Sequence, residues 1–109
     1  MIAILISTNG PLPAKASFLC AASTQVFLVS GSGWTSAGGN WLGVNILIDG
    51  TSVGSANVLA NEAGSHKALV EQPVVAHLTP GTHTIELTVG ANTNSDQYDL
   101  YRVLLFDLG

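Results

Sequence analysis

Charge is scarce in this sequence, and cysteine is scarcer. Three basic and seven acidic residues carry the side-chain charge of 109 residues, for a formal net charge of −4. Because nucleic-acid surfaces are built from clustered Lys and Arg, the scattered Lys15, Lys67 and Arg102 argue against nucleic acid as a partner. The single Cys20 excludes an intrachain disulfide and the paired-cysteine motif of a zinc site. Since Cys20 lies in the apolar run SFLCAA, we predict a buried, unreactive thiol.

Long apolar runs are also missing. No segment approaches the roughly 18 consecutive apolar residues of a membrane helix. The opening MIAILI is shorter than the apolar region of a signal peptide and lacks its basic flank. We therefore expect no membrane partner and no classical export signal, which leaves the location unknown.

Helix signals are nearly absent, whereas Gly, Ser, Thr, Asn and Val recur at intervals that suit short strands. A chain of this length forms one domain, so we predict a single all-β domain over residues 1–109. Eight short strands without a helix favour an antiparallel β-sandwich of the jelly-roll type. The predicted strands cover residues 2–6, 15–20, 24–31, 42–48, 51–59, 66–77, 82–89 and 99–107.

Two turn motifs punctuate this pattern. Asp49-Gly50 follows an alternating strand, and a DG pair supplies the positive φ angles of a tight hairpin between residues 42–48 and 51–59. The TPGT sequence at residues 79–82 predicts a second turn, with Pro at its second position and Gly at its third. If that turn closes a two-residue hairpin, His77 and His83 point to opposite faces and share no metal ion. We therefore expect no metal and no cofactor within one chain.

Both terminal segments, residues 2–6 and 101–108, carry apolar residues at odd and even positions alike. A strand with one wet face alternates, so we expect both faces of these strands to be covered. A small domain has one core, so we expect the second face to contact another copy of the chain. Strand parity assigns Tyr101, Val103 and Leu105 to the core, and Arg102, Leu104 and Phe106 to the contact with neighbouring subunits.

Five segments carry a family resemblance: VFLVSGSGW, GVNILIDGTSVG, NEAGSHKAL, LTPGTHTIEL and NTNSDQYDLYRVLLFDL, over about residues 24–108. Together they resemble small jelly-roll modules of bacteriophage tail and virion proteins and are, more distantly, similar to the trimeric jelly rolls of the tumour-necrosis-factor-like group. The resemblance implies first and last strands against a threefold axis, hence a homotrimer, and a virion as location. A histidine repeated around that axis would supply three metal ligands. The PGTHTIEL stretch also resembles carbohydrate-binding jelly rolls of the galactose-binding type.

No arrangement of residues predicts catalysis. The sequence has no GxSxG motif, and no Ser or His lies in a context that would activate it, so we expect no enzyme and no catalytic residue. The oxygen-bearing side chains of Asn92, Asn94, Asp96 and Asp99 partly imitate a calcium loop, with ordinary loop turns as the alternative. The sequence leaves that choice open.

The stretch most suggestive of binding is the glycine-rich segment 31–41. Two indoles, Trp34 and Trp41, flank it, and sugar rings stack on exposed aromatic faces while residues such as Asn40 bond their hydroxyl groups. We expect Trp41 to cap the core and Trp34 to be the more open ring. The main hypothesis is a non-enzymatic structural or adhesive homotrimer of a phage tail or virion. The alternative is a carbohydrate-binding module or lectin that contacts glycans through the Trp34 loop, with Trp34, Asn40 and Trp41 as its ligand-binding residues.

Overall fold

The computed structural model describes residues 1–108, and that part of the chain contains strands and loops but no helix. It therefore holds no helix long and apolar enough to cross a membrane. The all-β prediction is confirmed. The strands are β1 (Ile2–Asn9), β2 (Ala14–Cys20), β3 (Thr24–Gly33), β4 (Asn40–Ile48), β5 (Thr51–Ala60), β6 (Lys67–Ala68), β7 (Gln72–Ala76), β8 (Gly81–Val89) and β9 (Leu100–Leu108).

These strands form two antiparallel sheets. The five-stranded sheet has the order β1-β9-β3, with β6 and β7 both paired to β3, and the four-stranded sheet has the order β2-β8-β4-β5. This arrangement confirms the predicted antiparallel β-sandwich of the jelly-roll type. The strand predicted at residues 66–77 is instead two short strands, because residues 69–71 leave the ladder. Pro73 lies within β7, an edge strand, where the missing N–H is tolerated.

Alternate residues of the two sheets fill one core. Phe18 of β2 and Phe27 of β3 meet edge to face across it, with ring centroids 5.4 Å apart. On β9, Tyr101, Val103 and Leu105 are fully buried, as the parity of the last strand predicts. The period of two is therefore the main link between sequence and packing.

The hairpin at Asp49-Gly50 is confirmed. Asp49 has a φ of 51° and Gly50 a φ of 80°, and the turn joins β4 to β5 by pairing Ile48 with Thr51. The Asp49 carboxylate accepts hydrogen bonds from the Thr84 backbone N–H at 2.9 Å and from the His83 ring at 2.6 Å. The bond to Asp49 raises the pKa of His83, while the same bond lowers the pKa of Asp49. This turn therefore also ties the hairpin to β8.

The hairpin considered for residues 79–82 is wrong. The preceding strand β7 pairs with β3 in one sheet, whereas β8 pairs with β2 and β4 in the other. The TPGT segment therefore crosses from one sheet to the other and closes no hairpin. Turn chemistry predicts a change of direction, but it does not specify which strand each arm joins.

A bulge explains part of the mixed parity of β1. The pairing with β9 shifts register between Ile4 and Ile6, so Ile6 is buried although Ile2 and Ile4 share its parity. Ile2 and Ile4 face outward and are each 68% exposed. Within the described residues nothing covers them, so the single chain leaves this face of β1 open. The expected contact of this face with another copy of the chain is not tested by a single chain and stays a prediction.

The outward residues of β9 continue this surface. Leu104 lies opposite Ile4, and Phe106 lies opposite Ile2, on the outer side of the five-stranded sheet. The parity prediction is thus right about the direction of these side chains, and their role as contact residues stays a prediction. Arg102 is exposed, and Leu104 and Phe106 are half-buried.

Cys20 is 2% exposed, which confirms its predicted burial. Burial raises the pKa of its thiol, and the negative charges of Asp107 and Asp49 act in the same direction. Because the thiolate is the reactive form, we expect the folded protein to react with a thiol reagent at least about tenfold more slowly than the urea-unfolded protein. Equal labelling rates for the folded and unfolded protein would contradict this.

The opposite burial of two neighbouring leucines on β9 gives a test of strand parity. Leu105 is fully buried and Leu104 lies on the outer face. We expect Leu105→Ala to lower the free energy of unfolding by about 2–5 kcal/mol, since it leaves a cavity in the core. Leu104→Ala, the matched control, should cost less than half as much. Urea denaturation of both variants measures the difference, and equal losses would show that β9 does not pack as described.

Candidate functional site

Three loops meet at one end of the sandwich: those between β3 and β4, β5 and β6, and β8 and β9. Trp34 and Asn94 exchange backbone hydrogen bonds of 3.1 and 2.8 Å, which join the first loop to the third. Gly64 donates to the Thr35 carbonyl at 2.8 Å, which joins the second loop to the first. This end therefore concentrates aromatic and polar side chains from distant parts of the chain.

Trp41 is an exposed aromatic side chain on the outer face of the four-stranded sheet. It is 65% exposed, and on the neighbouring strand it pairs with Leu59, which is itself partly exposed. The expectation that Trp41 caps the core is wrong, because Leu42 and Val44 are the inward residues of β4. The alternation that predicts the Asp49-Gly50 hairpin, extended toward the start of β4, would have placed Trp41 outward.

Two side-chain amides lie on the same outer face as the indole. Asn57 pairs with Gly43, and its side chain lies so close to the Gly43 backbone that a Cβ at Gly43 would collide with Asn57 Oδ1. Asn57 Nδ2 donates to Ser55 Oγ at 2.9 Å, and Asn45 Nδ2 donates to the Val89 carbonyl at 3.3 Å. Among the described residues, neither amide oxygen accepts a hydrogen bond. We call this surface the Trp41 platform; it consists of Trp41, Asn45, Asn57 and Leu59, and Gly43 is buried beneath the Asn57 side chain.

Trp34 and Asn40, the other predicted binding residues, are less available. Trp34 is half-buried, its ring centroid lies 6.2 Å from that of His66, and its Nε1 is buried without a partner among residues 1–108. Asn40 Nδ2 donates to the Ala37 carbonyl at 2.8 Å and so holds the loop in shape. The expectation that Trp34 is the more open ring is therefore wrong. The bridge from Trp34 to Asn94, which sequence spacing does not signal, draws it inward.

A hydrogen-bonded cluster around His66 forms the second polar group at this end. His66 Nδ1 lies 2.7 Å from Oδ1 of Asp99, a fully buried carboxylate, and His66 Nε2 lies 3.6 Å from Asp96 Oδ2. Ser32 Oγ also donates to Asp99 Oδ1 at 2.8 Å, and the Asp96 backbone N–H donates to Asp99 Oδ2 at 2.9 Å. The hydrogen bond to Asp99 raises the pKa of His66, against the opposing effect of desolvation. Charge and hydrogen bonding thus satisfy the buried carboxylate.

This cluster does not fit calcium. His66, Asp96 and Asp99 are the one group within residues 1–108 whose His, Cys, Asp or Glu ligand atoms lie close enough to hold a metal ion. Calcium takes oxygen ligands, whereas here an imidazole ring lies between the two carboxylates. Both Asp99 oxygens, moreover, already accept hydrogen bonds within the chain. His83 and His77 lie elsewhere, beside Asp49 and Thr24.

Tyr101 anchors the β8–β9 loop beneath this cluster. Its hydroxyl donates to the Ser32 carbonyl at 2.7 Å and lies 2.7 Å from Ser95 Oγ, which in turn accepts from the Leu12 backbone N–H. Burial raises the pKa of Tyr101 to about 12. Tyr98 on the same loop is 75% exposed. At this end of the sandwich, the buried Tyr101 therefore holds the loop by hydrogen bonds, and Tyr98 is one further exposed aromatic ring.

Three of the solved structures with a similar fold are carbohydrate-binding modules. The CBM36-1 domain of a multidomain xylanase from the hindgut metagenome of Trinervitermes trinervoides superposes with a TM-score of 0.62 at 16% identity, over 100% of this chain and 99% of that one. A carbohydrate-binding module CBM36 in complex with calcium and xylotriose has a TM-score of 0.53 at 20% identity, over 92% and 76% of the two chains. A family 35 module from Clostridium thermocellum gives 0.50 at 14%, over 98% and 92%. No family model and no curated protein matches the sequence.

These neighbours correct the family resemblance drawn from the sequence. They are carbohydrate-binding modules and not phage tail, virion or tumour-necrosis-factor-like domains, so the resemblance and the viral, structural interpretation are wrong. The prediction of three copies rested on that resemblance, so the homotrimer is wrong as well. Jelly rolls share turn motifs across unrelated functions, so motifs such as DG and PGT identify the fold and not the assembly.

The His66 cluster predicts a titration that can be measured. Because the fold favours protonated His66, its stabilising contribution is complete below the unfolded pKa of about 6.5 and is lost as the pH rises through the folded pKa. We expect an NMR titration midpoint of the His66 ring above 6.5, which falls in Asp99→Asn. Asp49→Asn, the matched control, should move His83 and leave His66 unchanged. An unchanged His66 midpoint in Asp99→Asn would contradict the assignment.

Proposed function

We propose that this chain is a non-catalytic module that binds glycans through the Trp41 platform. The observation that carries the proposal is the exposed indole of Trp41 on an outer face that also carries the side-chain amides of Asn57 and Asn45. A large aromatic ring left in water on a regular strand serves recognition better than it serves stability. The fold supports the proposal, since its solved neighbours are carbohydrate-binding modules.

The chemistry of the platform suits sugar rings. The apolar C–H face of a pyranose stacks on an indole, while its equatorial hydroxyl groups point sideways toward hydrogen-bonding partners. Leu59 extends the apolar surface, and Asn57 and Asn45 provide the amides at the side. Such a combination of an aromatic surface and a few oriented polar groups is typical of small-molecule recognition.

The absence of catalysis is part of the proposal. In the His66 cluster, the Ser32 hydroxyl donates to Asp99 and not to His66, so the imidazole does not activate it as a nucleophile. His66 itself is engaged with Asp99 and Asp96. We assign the cluster a structural role in holding the loops, without calcium, and we propose that residues 1–109 act as one binding domain.

Trp41→Ala tests the proposal. Because stacking on the indole provides most of the contact, we expect the variant to lose at least about tenfold in affinity, or about 1.4 kcal/mol, for a polysaccharide that the wild type retains. Affinity electrophoresis followed by calorimetry on an oligosaccharide measures the loss.

Two aromatic controls sharpen this test. Tyr98→Ala removes an equally exposed ring at the loop end, and Trp34→Phe keeps a half-buried ring while it removes the unpaired Nε1. Both should bind as the wild type does, with unchanged unfolding midpoints. Loss of binding in Tyr98→Ala with full binding in Trp41→Ala would move the site to the loop end and reject the platform.

A further inference from the structure

We infer that the outer face of the five-stranded sheet binds a second copy of this chain, related to the first by a twofold axis parallel to the strands. The contact lies on β1, β9, β3 and β7, on the opposite side of the domain from the Trp41 platform, so it does not depend on the proposed function. Three observations lead to it: two continuous apolar rows, the contrast with the other outer face, and one unpaired charge of each sign beside the rows.

Two rows of apolar side chains cross this sheet from β1 to β7. The register of the strands aligns one row as Ile2, Phe106, Val26 and Val75. It aligns the next row as Ile4, Leu104, Leu28 and Pro73. We call the two rows together the apolar face; its members on β9 and β3 are half-buried, while Ile2 and Ile4 are 68% and Val75 is 62% exposed. A contiguous apolar surface of this kind on a small domain is typical of a protein contact.

The outer face of the other sheet shows that the fold does not require such rows. There the register aligns Lys15 with Glu86 and Ser17 with Thr84, so charged and hydroxyl side chains take the corresponding positions. The chain thus adapts one outer face to water and leaves the other apolar. This contrast favours a partner that covers the apolar face.

One charge of each sign lies beside the apolar face, at the same end of it. Arg102 pairs with Ser30 on β3 and is exposed. Glu71 directly precedes β7, has the parity of the outward residues of that strand and is exposed. Within residues 1–108 neither takes part in a salt bridge, since β3 lies between them. Lys67, the other basic residue of this sheet, pairs with the buried Gly33 and therefore has the parity of the inner face.

A twofold axis parallel to the strands makes this arrangement self-complementary. Such an axis lays each row of one copy on the same row of the other and reverses the order of the strands. Centred near β3, it brings Arg102 toward the partner's Glu71, and by symmetry Glu71 toward the partner's Arg102. The apolar rows then cover each other beside the two ion pairs, with the strands of the facing sheets nearly aligned, as in other sheet packings. Because the contact is closed, it stops at two copies, and both Trp41 platforms stay open on the outside.

The size of the face predicts a reversible dimer. Four strands about 4.8 Å apart, and four side-chain rows about 6.7 Å apart when a polar row on either side is included, give a contact of about 400 Å² in each copy. A standard stable interface buries about 800 Å² in each partner. We therefore expect a weak dimer, with a Kd of about 10–500 μM.

Sedimentation velocity over protein concentrations from about 1 μM to about 1 mM tests the inference. We expect the wild type to shift from the mass of one chain toward that of two. Ile4→Thr should weaken the dimer at least about tenfold, because the change occurs twice in each dimer. Leu19→Thr is the matched control, since Leu19 is 66% exposed on the outer face of the other sheet, and it should dimerise as the wild type does. Trp41→Ala should also dimerise normally, which separates this contact from glycan binding.

Charge reversal tests the twofold pairing. Arg102→Glu leaves two acidic residues at each contact surface and Glu71→Arg leaves two basic ones, so each variant alone should dimerise at least about tenfold more weakly. Mixed in equal amounts, the two variants should regain the wild-type affinity as a heterodimer, because both pairs then join opposite charges. Lys15→Glu changes the net charge as Arg102→Glu does, but on the other sheet, and should leave the dimer unchanged.

Equal urea midpoints at concentrations where all variants are monomeric show that they fold. A wild type that stays monomeric at about 1 mM, or that sediments as three copies, would overturn the inference. Equal weakening by Leu19→Thr and Ile4→Thr would also overturn it, because the contact would not lie on the apolar face. If the mixed charge variants stay monomeric, the twofold pairing of Arg102 with Glu71 is wrong.

Discussion

A single core between two sheets imposes a period of two on the long strands, apart from the bulge in β1, and much of the molecule follows from that constraint. Each residue that enters the core sends its neighbours to the outer face. On β4 the inward set begins at Leu42 and ends at Ile48, so Trp41 has no place in the core. The exposure of the indole is therefore a consequence of the packing of β4, and no special loop is needed to present it. A platform held by a central strand keeps its geometry better than one held by a flexible loop.

At the two ends of the sandwich, buried carboxylates hold the loops in place. Asp99 is inaccessible to solvent and is satisfied by Ser32, His66 and the Asp96 backbone. Asp107, at the other end of β9, accepts hydrogen bonds from the backbone of Ala21 and from Gln25. Those bonds lower the pKa of Asp107, the bond from Ala21 most. A buried charge without partners would be costly, so each carboxylate fixes the loop that satisfies it.

The sequence predicts those features that depend on local pattern and misses those that depend on distant pairing. Alternation predicts the sandwich and the inward side of β9, and the DG pair predicts the β4–β5 hairpin, because these properties involve neighbouring residues. The bulge between Ile4 and Ile6 and the bridge from Trp34 to Asn94 depend on strands that are far apart in sequence. The same holds for the bond from His66 to Asp99. Trp41 is different, since its outward direction follows from the alternation of its own strand.

The few charged residues of the strands are confined to β2, β6, β8 and β9. The three basic side chains lie on β2, β6 and β9, and Lys15 pairs with a strand that carries Glu86. The outer faces of β4 and β5 are thereby left neutral, with Ser, Asn and Trp in the positions where surface strands commonly carry Lys or Glu. A neutral face with aromatic and amide groups gains little from long-range attraction and depends on contact at short range.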